Sequence, residues 1–141
     1  MNIYFACSIT GGRDVEAVYQ ALTQALAEDR HVVPTAHLAR SNVLALEKTV
    51  NPRDVYERDV NWIRACDALV AEVSVPSHGV GYEIGFALGE GKPVLCLAEE
   101  SRAVSKMITG NPHPKLKVGR YRDAPEGVRL MRAFLAGLAH L

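Results

Sequence analysis

The sequence predicts an α/β fold, a single doubly wound domain in which a five-stranded parallel sheet carries helices on both faces. Three observations lead there. Apolar, strand-like runs alternate with stretches of helical period along the whole chain, the order that a parallel sheet with crossover helices requires. Residues 68–73 are apolar and β-branched without alternation, as in a strand buried on both faces. The chain has 141 residues, 48% of them hydrophobic and 23% charged, which suits one domain of ordinary globular composition.

Each element follows in order. Residues 2–8 are a buried strand that ends at Gly11-Gly12. Residues 14–28 place Val15, Val18, Tyr19, Leu22 and Leu26 on one helical face. Residues 31–34 are a short second strand, and 39–50 is polar, with partial helical character and no clear period. Asn51-Pro52 joins an N-cap to a proline at the first helical position, so a helix starts there and runs to about Cys66. Residues 68–73 form the central strand, and after Pro76-Ser77-His78-Gly79 a helix spans 80–90 and stops at Gly91. A strand at 93–97, a short helix at 102–108 and a strand at 116–121 follow. Pro125 opens the last helix, with Val128, Met131, Leu135 and Leu138 facing inward. Right-handed crossovers then give a flavodoxin- or Rossmann-like architecture, with residues 1–141 as one domain.

Charge and cysteine usage exclude several functions. Sixteen basic residues balance sixteen acidic ones, so the chain lacks the basic excess of a general nucleic-acid binder. The N-terminal apolar run is short and has no basic lead-in, so it reads as part of the fold rather than a signal peptide. No apolar run approaches the ~20 residues of a membrane-spanning helix, and no membrane partner is expected. Cys7, Cys66 and Cys96 are far apart and show no metal-ligand spacing. They read as reduced core thiols of a cytoplasmic protein that needs neither metal nor cofactor.

Open parallel sheets bind ligands beyond the carboxyl ends of their strands. That places weight on three loops: residues 8–13, residues 74–81, and the segment after the fourth strand leading toward Ser105. Two carboxylates are out of place in apolar surroundings. On the 51–66 helix, Val55, Asp59, Trp62, Ile63 and Cys66 share a face, with Asp59 in the middle of the stripe. A buried carboxylate needs a partner. Asp59 therefore reads either as a structural partner for a cap or an arginine, or as a catalytic or ligand-binding acid.

Glu83 lies in the first turn of the helix after the central strand, beside apolar Val80, Phe86 and Ala87. It is either a charge favoured by the helix N-terminus or a functional carboxylate that the terminus keeps ionised, as a nucleophile requires. The glycines of Gly79-x-Gly81-x-x-x-Gly85 miss the dinucleotide spacing by one residue. Ser8-Ile9-Thr10-Gly11-Gly12-Arg13 reads either as a plain Gly-Gly turn or as a phosphate loop, with exposed N–H groups and an arginine.

Taken together, four blocks resemble the 2'-deoxynucleoside 5'-phosphate N-hydrolases, within the nucleoside 2-deoxyribosyltransferase superfamily. They are residues 4–13 (YFACSITGGR), 57–62 (ERDVNW), 67–73 (DALVAEV) and 76–85 (PSHGVGYEIG), and the likeness extends to Val104-Ser105-Lys106-Met107-Ile108. The resemblance implies cleavage of the N-glycosidic bond of a nucleoside monophosphate to free base and 2-deoxyribose 5-phosphate. It makes Glu83 the nucleophile, held by a hydrogen bond from Tyr4, and Asp59 either a ligand of the sugar hydroxyl or the group that protonates the leaving base. By the same resemblance Cys7, Ser8, Ile9, Thr10, Gly11, Gly12 and Arg13 line the nucleotide, while Ser77 and the Gly79 amide take the 5'-phosphate. His37 stacks on the base. Ser105, with Lys106 and Met107, reaches the site of a neighbouring subunit, so a homodimer is implied.

An adjacent carboxylate stabilises an oxocarbenium-like transition state, and covalent capture divides one hard displacement into two easier ones. Deoxyribose forms that cation more readily because it lacks the electron-withdrawing 2'-hydroxyl. Three other readings stay open: a deoxyribosyltransferase acting on unphosphorylated nucleosides, an N-hydrolase of ribonucleotides of the CMP type, and a non-catalytic nucleotide-binding module. Thr10 stands where animal members of the family carry a basic residue, so base preference is open.

Overall fold

A computed structural model describes residues 1–9, 12 and 14–140. The chain runs β1 (Ile3–Ala6), α1 (Glu16–Glu28), a 3-10 turn (Ala36–Ala39), α2 (Val43–Lys48), α3 (Pro52–Ala65), β2 (Ala68–Glu72), α4 (His78–Gly89), β3 (Val94–Glu99), α5 (Lys106–Thr109), β4 (Leu116–Tyr121) and α6 (Ala124–Leu138). The strands form one parallel sheet in the order β1-β2-β3-β4. Tyr4 lies beside Leu69, and Ala71 beside Cys96.

The sheet has four strands among the described residues, one fewer than expected. Residues 31–34 touch it through a single parallel bridge from Val32 to Asn2, next to β1. Pro34 lacks the N–H that a longer ladder would use, and the chain turns at Thr35 into the 3-10 turn. Counting that bridge as a rudimentary edge, the order is still that of a doubly wound sheet whose direction of growth reverses at β1, the place where such folds bind ligands.

Side-chain alternation divides the core into two. Ile3, Phe5, Ala68 and Val70 face α1 and α6, packing on Tyr19, Leu22, Leu26, Met131 and Leu135. Tyr4, Ala6, Leu69 and Ala71 face α3 and α4, packing on Ile63, Val80, Ile84 and Ala87. β2 is buried along its whole length, as its apolar sequence requires.

The helices start where their caps are. Asn51 accepts from Arg53 N–H ahead of Pro52, Ser77 accepts from Val80 N–H, and Asp123 accepts from Glu126 N–H. Because Ser77 is a cap, α4 begins two residues before the expected start. Because Ser105 caps α5, that helix begins later than the expected residue 102. The segment without a clear period resolves into the 3-10 turn and α2, with Leu38, Ala39 and Val43 reaching the α1-side core.

Candidate active site

Tyr4 is on β1, beside Leu69 of β2, and is fully buried. Its hydroxyl donates to Glu83 Oε2, joining β1 to the first turns of α4. This contact spans 79 residues of sequence and exists only because β1 and β2 are neighbours. Burial pushes the Glu83 carboxyl up to about 7, against the opposing pull of the Tyr4 hydrogen bond, with the nearby Asp59 charge adding to the rise. The helix N-terminus therefore does not hold Glu83 at an ordinary carboxylate pKa, contrary to the expectation from its position alone. The Tyr4 phenol is itself raised far above its usual range by burial and by Glu83, so it stays a hydrogen-bond donor.

Asp59 and Glu83 line one cavity of about 380 Å³ between α3 and the N-terminus of α4, together with Tyr56, Val60, Ile63, His78, Gly79 and Tyr82. Asp59 sits beside the buried stripe of α3 rather than in its middle, since Val60 and Ile63 are the positions that α3 buries. Its carboxylate accepts from Arg58 Nε at 2.8 Å. Burial raises the Asp59 carboxyl, and Arg58 pulls it back down. Asp59 is thus paired with an arginine, as the structural reading expects, and it also lines a cavity.

Arg58 extends the cluster. Its Nη2 donates to Glu47 Oε1 at 3.1 Å, and its guanidinium lies 4.8 Å from the centre of the Trp62 ring. His37 Nε2 donates to the same Glu47 oxygen at 2.6 Å and sets its ring edge-on to Trp62 at 6.3 Å. Glu47 and Arg58 carried no sequence signal of a site role. Glu47 lies in the segment without a period, and Arg58 is off the face that holds Val55, Asp59, Trp62, Ile63 and Cys66.

A second cleft of about 550 Å³ lies on the other side of the α4 N-terminus. Ser77, His78, Gly81 and Gly85 line it from α4, and Val104, Ser105 and Met107 line it from the α5 side. Ser77 Oγ accepts from Val80 N–H at 3.3 Å, and Ser105 Oγ accepts from Met107 N–H at 3.2 Å. Lys106 is exposed on α5. His78 lines both cavities and was not singled out from the sequence.

The loop after β1 is described in part. Ser8 is buried, Ile9 packs on the α1-side core, and the Cys7 thiol donates to Leu38 O at 3.5 Å inside that core. Gly12 has φ +127°, a conformation that only glycine adopts readily, and a Cβ there would sit 3.5 Å from Val75. The β1 loop therefore runs against the loop that leads into α4. Thr10, Gly11 and Arg13 lie outside the described residues.

A carboxylate of raised proton affinity, a phenol fixing it, and a second carboxylate in the same cavity suit acid, base and nucleophilic work at one carbon centre. The family model described as nucleoside 2-deoxyribosyltransferase matches residues 3–128. A Thermofilum pendens protein provisionally named 2'-deoxynucleoside 5'-phosphate N-hydrolase 1 is 42% identical over 139 residues, covering 97% of this chain and 96% of that protein. The 5-hydroxymethyl-dUMP N-hydrolase of Rattus norvegicus is 40% identical over 142 residues, covering 97% and 86%. Among solved structures, the CMP N-glycosidase BcmB of Clostridium botulinum superposes with a TM-score of 0.72 at 21% identity, covering 94% of this chain and 99% of that one, a likeness of fold.

Proposed function

The chain belongs to the nucleoside 2-deoxyribosyltransferase family, and from that premise we propose that it hydrolyses the N-glycosidic bond of 2'-deoxynucleoside 5'-monophosphates. The products are free base and 2-deoxyribose 5-phosphate. The observation that carries this reading is the half-buried Tyr4–Glu83 contact at the wall of a cavity that also holds Asp59.

In the first step Glu83 Oε attacks C1' while the C1'–N bond breaks, its electron pair leaves with the base, and Asp59 supplies the base with a proton. In the second step water attacks C1' of the glycosyl ester, the C1'–O bond to Glu83 breaks, and Asp59 takes the proton of the water. Glu83 must be ionised to attack. With its carboxyl near 7, activity rises as pH climbs through neutrality.

The 5'-phosphate belongs beside the α4 N-terminus, where Ser77 and the amide of Gly79 offer hydrogen-bond donors and the helix dipole favours an anion. By the family resemblance the β1 loop would line the nucleotide, with His37 on the base side. A homodimer is part of the same proposal. Met107 is 82% exposed, and a Cβ at Gly81 or Gly85 would meet no heavy atom within 4 Å, so the α4 and α5 face has room for a second copy whose Ser105 approaches this site. Cys7, Cys66 and Cys96 are buried thiols outside any disulfide, in keeping with a reducing compartment such as the cytoplasm. No helix among the described residues is long and apolar enough to cross a membrane.

The test is incubation of a deoxynucleoside monophosphate, its nucleoside and the matching ribonucleotide, each with and without a second free base. Base release from the deoxynucleotide alone, independent of acceptor, is the expected result. Dependence on the acceptor base identifies a transferase, and preference for CMP over dCMP identifies a ribonucleotide hydrolase. Light scattering of the protein in solution reads the dimer.

A further inference from the structure

Arg58 stands between two carboxylates. Its Nε donates to Asp59 and its Nη2 to Glu47, at 2.8 and 3.1 Å. Trp62 fixes the plane of the guanidinium from below, and His37 occupies the same Glu47 oxygen from the other side. The side chains are mostly out of water, with 26% of Arg58, 19% of Asp59 and 14% of Glu47 exposed. At that depth a charge is satisfied by its neighbours more than by solvent, so one guanidinium facing two carboxylates is shared between them.

We propose that Glu47 is a positioning residue for Asp59: by accepting from Arg58 Nη2 it prevents that guanidinium from neutralising Asp59 completely, which leaves the Asp59 carboxyl able to deliver a proton to the departing base. The inference rests on the reading of Asp59 as the group that meets the base. It gives α2, a helix with no residue in either cavity, a part in the chemistry.

The groups around Asp59 agree with this division. Arg58 and Tyr56 face it from α3, Tyr4 from β1, Glu83, His78 and Tyr82 from α4, His37 from the 3-10 turn, and Glu47 from α2. Burial is the largest influence on Asp59 and raises it, Arg58 lowers it, Glu47 raises it, and His37 lowers it. Loss of the Glu47 charge therefore makes Asp59 a stronger acid that holds its proton less well.

The experiment compares the full-length protein with Glu47→Gln and Glu47→Asp. It reads kcat and KM for a deoxynucleoside monophosphate across pH, and titrates the Asp59 carboxyl directly by carbon NMR, assigned with Asp59→Asn. Glu47→Gln is expected to lower kcat by about tenfold while KM changes by less than about twofold. The limb of the pH profile that belongs to Asp59 moves to lower pH, and its NMR titration moves with it. Glu47→Asp keeps the charge and loses less. An unmoved Asp59 titration, a KM that rises in step with the loss, or an Asp variant as impaired as the Gln variant overturns the proposal. If the wild-type protein releases no base, the proposed reaction fails, while the NMR titration still reads the effect of Glu47 on Asp59.

Discussion

Removing the Tyr4 hydroxyl by Tyr4→Phe separates the hydrogen bond to Glu83 from the packing of the ring, which stays buried in the core on the α3 and α4 side. A hydrogen bond to a charged acceptor contributes ~1.5–3 kcal/mol. Removing it from the ionised form of Glu83 raises the proton affinity of that carboxyl by roughly tenfold to a hundredfold, since ~1.4 kcal/mol is a factor of ten. With Glu83 at about 7 in the native protein, half of it is ionised at neutral pH. In the variant that fraction falls to about a tenth or a hundredth, so kcat/KM at neutrality drops roughly five- to fifty-fold. The sign is fixed: the limb that reports Glu83 moves to higher pH, and the loss shrinks on the alkaline side, where both proteins are ionised. The assay is release of free base from a deoxynucleoside monophosphate, followed chromatographically across pH. A limb that does not move, or a loss of equal size at every pH, refutes the claim that Tyr4 acts by holding the Glu83 charge.

Other outcomes follow from the same geometry. Glu83→Ala abolishes base release while leaving nucleotide binding measurable by calorimetry, whereas a binding module would show no catalysis to lose. Ser77→Ala weakens monophosphates more than nucleosides in the same titration, and its lost helix cap costs about 1 kcal/mol of stability in urea unfolding. Glu72 is fully buried on the α6 side of β2, where it accepts from Ser74 N–H, Ser74 Oγ and Tyr121 OH. Glu72→Ala leaves those donors without their acceptor and lowers stability by about 3 kcal/mol in urea unfolding.

The sheet and its helices were legible because periodicity and caps are local, as at Asn51-Pro52 and in the unbroken apolar run of β2. Asp59 and Glu83 were legible because a charge among apolar neighbours has to be accounted for. Tyr4 was not legible from patterning, since a tyrosine in a buried strand looks like any core residue, and its role came from resemblance alone. Glu47 escaped because its meaning lies in a guanidinium eleven residues away on another helix. Glu72 escaped because its partners Ser74 and Tyr121 come together only through the β2-β3-β4 register. The fifth strand was overestimated because two β-branched residues at 32–33 suggest pairing that Pro34 interrupts.

The single bridge at Val32 also bears on how the parts of the candidate site are held. The segment that carries His37 and α2 is joined to β1 and the residue after it by that bridge, by Thr35 Oγ1 accepting from Phe5 N–H and by Leu38 O accepting from the Cys7 thiol, and it meets Asp59 through the Arg58 guanidinium. Glu83, by contrast, is tied directly to β1 through Tyr4. Under the proposed function, the side chain that faces the base and the pair that breaks the bond are therefore carried by different segments of a small fold.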